Sequence, residues 1–305
     1  MTRQPEQRAG VADRDLSGQT ALVTGSTSGI GRATALALGR LGADVFVHGR
    51  DRDAGGAVVD ELTGYGVHSQ FVRGDFADVG DVRSVASTVR ESTETLDLLL
   101  NNAGGLFRTG ELTDVGVEYT FHVNHLAPYL LTAELLDHMA KAGRIVTTAS
   151  EAHRGVSLDL DEVTSIERYS PFEAYGRSKL ANVQFTLVLA RRLAATGSNV
   201  TSNAVHPGAI PGSAFSRFLP APIPQGMKLL NSAPFVTSVA DGAAALLTLA
   251  VSSDLAGVSG RYVSGQCPQT PSMDARDPDA QRALWERSAD LLEMEPPLTR
   301  AVDTT

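Results

Sequence analysis

Short apolar runs alternate with longer stretches of helical periodicity from Thr20 to about Leu193, and few folds other than a stack of βαβ units accommodate that rhythm. The runs at 21–24, 44–48, 68–73, 96–101, 144–149, 200–205 and 261–263 read as strands. Several are apolar almost throughout, as strands are when helices cover both faces of a parallel sheet. Helical segments fall between them at 29–41, 78–92, 118–140, 175–195 and 238–251, and a last one near 279–292 carries Trp285. The pattern predicts an α/β fold, a doubly wound parallel sheet of about seven strands with helices on both faces, in a single domain over residues 18–295. No fixed-period repeat interrupts it.

One stretch breaks the rhythm. Between Gly208 and Pro234 lie prolines at 211, 220, 222, 224 and 234, which no regular central element tolerates. A long irregular connection in a compact domain reads as a functional lid or a mobile segment, here 208–236. Residues 1–17 are polar, without the apolar segment of a signal peptide, and read as a flexible leader; 296–305 read as a flexible tail.

A net charge of -9 argues against a general affinity for nucleic acid or an anionic membrane, while leaving room for a local basic pocket. The single cysteine, Cys267, excludes an internal disulfide and a cysteine-rich metal site and fits a reducing compartment. No apolar window reaches bilayer-spanning length, the nearest being the interrupted run at 242–251. A soluble, cytoplasmic protein is expected.

Thr24-Gly25-Ser26-Thr27-Ser28-Gly29-Ile30-Gly31 follows the first strand and opens the first long helix. A backbone freed of side chains can there approach a pyrophosphate, with the N–H groups and positive dipole of the helix N-terminus behind it. Downstream, Tyr175 and Lys179 stand about one helical turn apart, so phenol and ammonium project from the same helix face. A cation about 4 Å from the phenol, at an effective dielectric near 20, would favour the phenolate by roughly 4 kcal/mol, or on the order of three pK units. That would bring a group of ordinary pKa near 10 close to working pH.

In this order, with Asp75 after the third strand, Asn101-Asn102-Ala103-Gly104 after the fourth, then Asn124, Ser150 and Pro207-Gly208, the chain over about 17–265 resembles a classical short-chain dehydrogenase/reductase. That family has a Rossmann-type sheet. Val123-Asn124-His125-Leu126, Ser178-Lys179-Leu180-Ala181-Asn182 and Leu284-Trp285-Glu286 most resemble its retinol-dehydrogenase-like branch.

The resemblance implies that Tyr175 donates the proton in carbonyl reduction and is the base in alcohol oxidation. Lys179 would lower its pKa and bond the nicotinamide ribose. Ser150 would hold the substrate oxygen, and Asn124 a water linking Lys179 to solvent. By themselves, Ser150 also reads as a cap and Asn124 as a solvated polar residue. Gly25, Ser26, Ser28, Gly29, Ile30 and Gly31 would cradle the dinucleotide, Asp75 and Phe76 flank the adenine, and Asn102, Ala103 and Gly104 border the adenosine ribose. Pro207, Gly208 and Ile210 would meet the nicotinamide. The family often places Thr or Ser a few residues past that glycine, whereas here position 212 is Gly and the hydroxyl is at Ser213.

After the second strand comes His48-Gly49-Arg50, with Arg50 about where this branch places its phosphate-binding arginine. NADP(H) is therefore expected over NAD(H), the competing possibility being a surface arginine paired with Asp51 or Asp53. The interval between Ser150 and Tyr175 is long and expected to roof the substrate site with His153, Arg154, Tyr169, Pro171 and Phe172, joined by Phe215, Phe218, Leu219 and Met227 from the proline-rich connection. Such groups suit a bulky apolar carbonyl or alcohol, and equally ordinary packing beneath a loop. No metal-ligand cluster surrounds His153, and no metal site is expected.

The function expected is an NADP(H)-dependent oxidoreductase exchanging hydride with a carbonyl or secondary alcohol. A non-catalytic NADP-binding sensor on the same fold, and an isomerase or dehydratase using transient oxidation, are the alternatives. Relatives assemble through the helices corresponding to 118–140 and 175–195. A homodimer or homotetramer is expected, unless those apolar surfaces are consumed in the core of the monomer.

Overall fold

The computed structural model describes residues 3–208 and 237–299. Ile210, Gly212, Ser213, Phe215, Phe218, Leu219 and Met227, and nearly all of the expected lid, lie outside the described residues, as do residues 300–305.

In chain order the elements are α1 (Pro5–Arg8), β1 (Thr20–Val23), α2 (Gly29–Arg40), β2 (Asp44–Gly49), α3 (Arg52–Thr63), β3 (Ser69–Arg73), α4 (Val79–Ser92), β4 (Leu96–Asn101), α5 (Tyr119–Phe121), α6 (Ala127–Leu135), β5 (Met139–Thr148), α7 (Pro171–Ala195), β6 (Thr201–His206), α8 (Val239–Val251), β7 (Tyr262–Ser264), β8 (Cys267–Gln269), α9 (Met273–Arg276) and α10 (Pro278–Leu291). The strands form one sheet in the order β3-β2-β1-β4-β5-β6-β7-β8. All pairings are parallel except the last, a two-residue hairpin through Gly265 and Gln266.

Strand alternation divides the core in two. Leu22, Phe46, Val72, Leu99 and Ile145 point to one face and pack under α4, α6, α7 and α10. Val23, Val45, Val47, Leu100, Val146 and Val205 point to the other, under α2, α3 and α8. With both faces covered, the strand ends are where a ligand can reach the middle of the sheet.

One terminal expectation is corrected, over the described residues 3–17. The leader expected to be loose is packed: Val11 and Leu16 are buried, Glu6 forks onto Arg40 (2.8 and 2.9 Å), and Arg8 pairs with Asp241 on α8. A mostly polar segment holds because its few apolar residues land on α2 and α8 and its charges meet opposite charges there. At the other end Leu298 packs against the core, and Arg192 Nη1 donates to its carbonyl at 3.4 Å.

The 118–140 helix is also corrected. It is interrupted by a π-helical turn at His122–Leu126 and stops before Met139, where β5 begins. Pro128 has no N–H, so the α-helical bond from residue 128 back to Asn124 does not exist and the ladder loosens there.

The α6–α7 face is covered within the chain. Trp285 meets Tyr129 edge-on (centroids 5.2 Å apart) and stacks on Phe185 (5.9 Å), while Tyr129 Oη donates to its carbonyl at 3.0 Å. Trp285→Ala is expected to destabilise the protein by about 3–5 kcal/mol through the cavity it leaves. Urea unfolding checks this, and a loss under about 1 kcal/mol would mean the helix is only loosely docked.

Candidate active site

The strand order reverses between β1 and β4, so the loops leaving those strands diverge and open a crevice at the shared edge. A cleft of about 550 Å³ lies there. Thr24 ties its two rims together. Its Oγ1 donates to the Leu100 carbonyl (3.2 Å) and accepts from the N–H groups of Asn102 and Ala103 (both 2.9 Å), while Asn102 Nδ2 donates back to the Thr24 carbonyl (2.9 Å).

The fit to a dinucleotide can be tested on the loop itself. A Cβ at Gly31 would lie 2.3 Å from the Gly25 carbonyl oxygen and 2.5 Å from Asn102 Nδ2, so no side chain is tolerated beneath the loop. The first turn of α2 has no side-chain cap from Ser28, which leaves its N–H groups facing the cleft for an anion. Gly25, Ser28, Gly29, Ile30, Gly31, Asn102, Ala103, Gly104, Pro207 and Gly208 all line this space. The residues fit a pyrophosphate-bearing cofactor.

Ser26 is the exception. It is fully buried, donating to the Val23 carbonyl (2.7 Å) and accepting from the His48 N–H (3.0 Å), so its hydroxyl braces β1 against β2 and does not reach the cleft.

His48 lines the cleft and was missed as a site residue. Its Nδ1 accepts from the Gly25 N–H (3.2 Å), and its ring stacks on Phe76 (4.2 Å between centroids). Burial pushes its pKa down to about 4, so it holds the loop as a neutral acceptor. Its position beside Arg50 was the available signal.

Arg50 stands 61% exposed at the mouth, where Nη1 reaches Asp75 Oδ2 (3.4 Å) and Tyr119 Oη (3.5 Å). The pairing with Asp51 or Asp53 considered from sequence is not what the structure has. Asp51 instead caps α3, accepting from the Ala54 N–H. Asp75 and Phe76 also line the cleft.

At the other end, α7 begins at Pro171, a turn before Tyr175, so the tyrosine sits inside the helix rather than at its head. Ser150 fills both roles open to it: it caps the turn Glu151–His153, accepting from the Ala152 N–H (3.2 Å), and hydrogen-bonds Tyr175. Lys179 Nζ lies 5.6 Å from the centre of the Tyr175 ring and donates to the Thr148 carbonyl (3.0 Å).

Burial acts on both groups. It pushes the Tyr175 phenol up, with the Ser150 hydrogen bond pulling the other way, and drives Lys179 down to about 8. The expected lowering of the phenol pKa is therefore corrected for the protein alone: both charges are desolvated, and the ammonium donates to a backbone carbonyl.

Asn124 is fully buried and does not line the cleft. Its Oδ1 accepts from the Gly105 N–H (2.8 Å), and its Nδ2 donates to the Gly105 carbonyl (2.8 Å) and Ser178 Oγ (2.9 Å). Its side chain is thus a brace, contrary to a solvated position. The carbonyl freed by Pro128 accepts from Asn182 Nδ2 (2.9 Å).

The roof expected from residues 151–174 is corrected. Of that interval only Ala152 reaches the cleft, while Leu158, Leu160 and Val163 pack on the core. His153 is buried, its ring held by the Ser150 carbonyl (2.6 Å) and the Ser272 N–H (3.2 Å), which makes it a loop brace and no substrate contact. Phe172 is 60% exposed and does not line the cleft. Leu106, Phe107, Tyr119 and Val123 supply its apolar wall instead; nothing in their spacing marked them.

A family model for short chain dehydrogenases matches residues 19–219. The chain belongs to the short-chain dehydrogenase/reductase family. Retinol dehydrogenase 13 of Homo sapiens is 36% identical over 300 residues, covering 93% of this chain and 88% of the relative. Polyprenol dehydrogenase of Mus musculus is 36% identical over 88% of this chain and 82% of the relative. These place the short-chain dehydrogenase in the retinol-dehydrogenase-like branch. Among solved structures, the landomycin C-6 ketoreductase LanV with bound NADP and rabelomycin is 30% identical with a TM-score of 0.64, covering 83% of this chain and 96% of that one. This short-chain dehydrogenase/reductase is an oxidoreductase acting on CH–OH or C=O groups of a small molecule with a nicotinamide cofactor. Among its described residues no helix is long and apolar enough to cross a membrane.

The buried histidines set an acid limit. His48 and His122 are pushed by burial from 6.5 to about 4, so the folded state keeps them neutral while the unfolded chain binds protons below pH 6.5. Their stabilising contribution is complete above pH 6.5 and falls by roughly 1.4 kcal/mol per group per pH unit between there and about 4. Urea unfolding at pH 7, 6 and 5 should show the decline, and a flat profile would contradict neutral burial of these rings.

Proposed function

We propose that the protein is an NADP(H)-dependent reductase or dehydrogenase that exchanges hydride with the carbonyl or secondary alcohol of a bulky apolar small molecule. What carries this reading is the placement of Ser150, Tyr175 and Lys179 at one end of the same cleft that bears the glycine loop and Arg50. The bound nicotinamide supplies or accepts the hydride.

Ser150 Oγ and Tyr175 Oη, already hydrogen-bonded to each other, hold the substrate oxygen between them. In reduction the Tyr175 Oη proton passes to that oxygen as hydride reaches the carbon; in oxidation the phenolate takes it back. Lys179 uses one N–H on Thr148 and has others to offer the nicotinamide ribose and to restore the Tyr175 proton. Asn124 acts from behind, holding the Gly105 backbone and Ser178. A water between its carbonyl and Lys179 would complete the exchange with solvent.

Arg50 would turn from Asp75 to the 2′-phosphate, and the NADP bound by LanV supports that preference. Retinol and polyprenol, named in two relatives, are long and largely apolar alcohols, in keeping with the apolar wall of Leu106, Phe107 and Val123. A homodimer or homotetramer would use a surface other than the one covered by α10. The lone, exposed Cys267 accords with a reducing cytoplasm.

Incubation with a panel of apolar ketones and NADPH should consume absorbance at the reduced nicotinamide band. Tyr175→Phe should abolish that turnover and leave NADPH binding intact; substantial retained activity would sink the assignment, and binding without turnover in the native protein would favour a sensor. Arg50→Ala should lower kcat/KM with NADPH about 10- to 100-fold, the equivalent of a charge-assisted bond worth roughly 1.5–3 kcal/mol, and leave NADH nearly unchanged. Equal losses with both cofactors would argue against phosphate recognition.

A further inference from the structure

Three buried polar residues are left unused by the proposed chemistry: His125 and Asn182, in segments that resemble the retinol-dehydrogenase-like branch, and Ser288, two residues past a third such segment. The structure joins them. Asn182 Nδ2 donates to two carbonyls, those of Asn124 (2.9 Å) and Thr148 (3.2 Å). Both are acceptors, which fixes the amide orientation and turns Oδ1 toward His125 Nδ1 (3.3 Å). His125 Nδ1 must then carry the ring proton, and Nε2 accepts from Ser288 Oγ (3.0 Å) on α10. All three side chains are at most 1% exposed, so each bond is shielded from water.

The chain of bonds runs one way, from Ser288 through His125 and Asn182 to the Thr148 carbonyl, and that carbonyl is also the one on which Lys179 Nζ rests. Asn182 further holds the Asn124 backbone, and Thr148 stands two residues before Ser150. We propose that Asn182, aligned by His125 and Ser288, is a positioning residue that sets the Thr148 carbonyl and through it the place of the Lys179 ammonium beside Tyr175. The C-terminal helix is thereby coupled to the reaction centre. This inference rests on the proposed function of Tyr175 and Lys179.

Other titratable groups face the pair. His206 ends β6, and Tyr262 of β7 donates to Glu151 with Arg154 and His153 alongside. His122 and Glu118 lie on the α5 side. The Asn182 side chain bonds His125 and the Asn124 and Thr148 carbonyls instead.

The test measures alcohol oxidation by the full-length enzyme with NADP⁺ across pH, alongside urea stability. Asn182→Leu keeps the γ-branched outline, adds some volume and removes the bonds; Asn182→Asp keeps the shape, removes the donors and adds a carboxylate. Either should lower kcat about tenfold, near the 1.4 kcal/mol of a lost hydrogen bond, with substrate KM within about twofold. Either should also move the alkaline rise in kcat up by on the order of half to one pH unit, because a misplaced or neutralised ammonium favours the phenolate less. Ser288→Ala removes only a hydroxyl, so it folds where a bulkier change fails, and it should move the limb the same way by less.

Variants that are active and less stable, with the limb unmoved, would overturn the inference and leave these residues as core polar groups. Native enzyme inactive toward every ketone and alcohol tried would instead count against the proposed function beneath it.

Discussion

Lys179 carries its ammonium into the protein interior, and among the described residues no carboxylate meets it. A buried charge without a counter-ion is costly, and burial already drives the group down to about 8. Much around the site answers that constraint. Thr148 ends β5, and its carbonyl receives the ammonium. Asn182, Asn124 and Ser178 then fix the neighbouring backbone with bonds that are themselves satisfied. Neutral dipoles hold the charge in place without quenching it, whereas an aspartate partner would stabilise the lysine and cancel the field that the proposed role of Tyr175 calls for.

How much of this was legible in the sequence depended on whether the signal was local. The βαβ rhythm was legible because burial on both faces writes several strands as nearly continuous apolar runs, as in residues 98–100. The glycine loop and the Tyr175/Lys179 spacing were legible because close approach and helical pitch restrict residue types directly. The α3 helix was passed over since Gly55-Gly56 weakens helical propensity, yet the fold needs Gly55, where a Cβ would come 2.2 Å from the Phe71 ring. The β8 strand was masked by Pro268 and full exposure, although the Gly265-Gln266 turn marks the hairpin.

Ser26 and His153 failed for another reason. Each residue type suits a ligand contact, and only tertiary placement shows its polar atoms already committed to the protein. The packed N-terminus belongs with them, since Glu6 and Arg40 are distant in sequence and neither pattern alone foretells their fork.

The break in the α5–α6 region shows a local irregularity becoming a long-range device. A regular helix would bond the Asn124 carbonyl to the N–H of residue 128, and Pro128 removes that option. The unpaired carbonyl needs a donor in a dry core, and Asn182 on the next helix supplies one. Having turned its donors to Asn124 and Thr148, Asn182 presents its oxygen to His125, whose other nitrogen needs a donor from Ser288 in turn. One missing N–H thus propagates through obligatory pairings as far as α10. That helix also docks through Leu284, Trp285 and Ala289 and through Arg191 of α7, which donates to Gln281 Oε1; the buried polar chain adds to its registry by pairing Ser288 with His125.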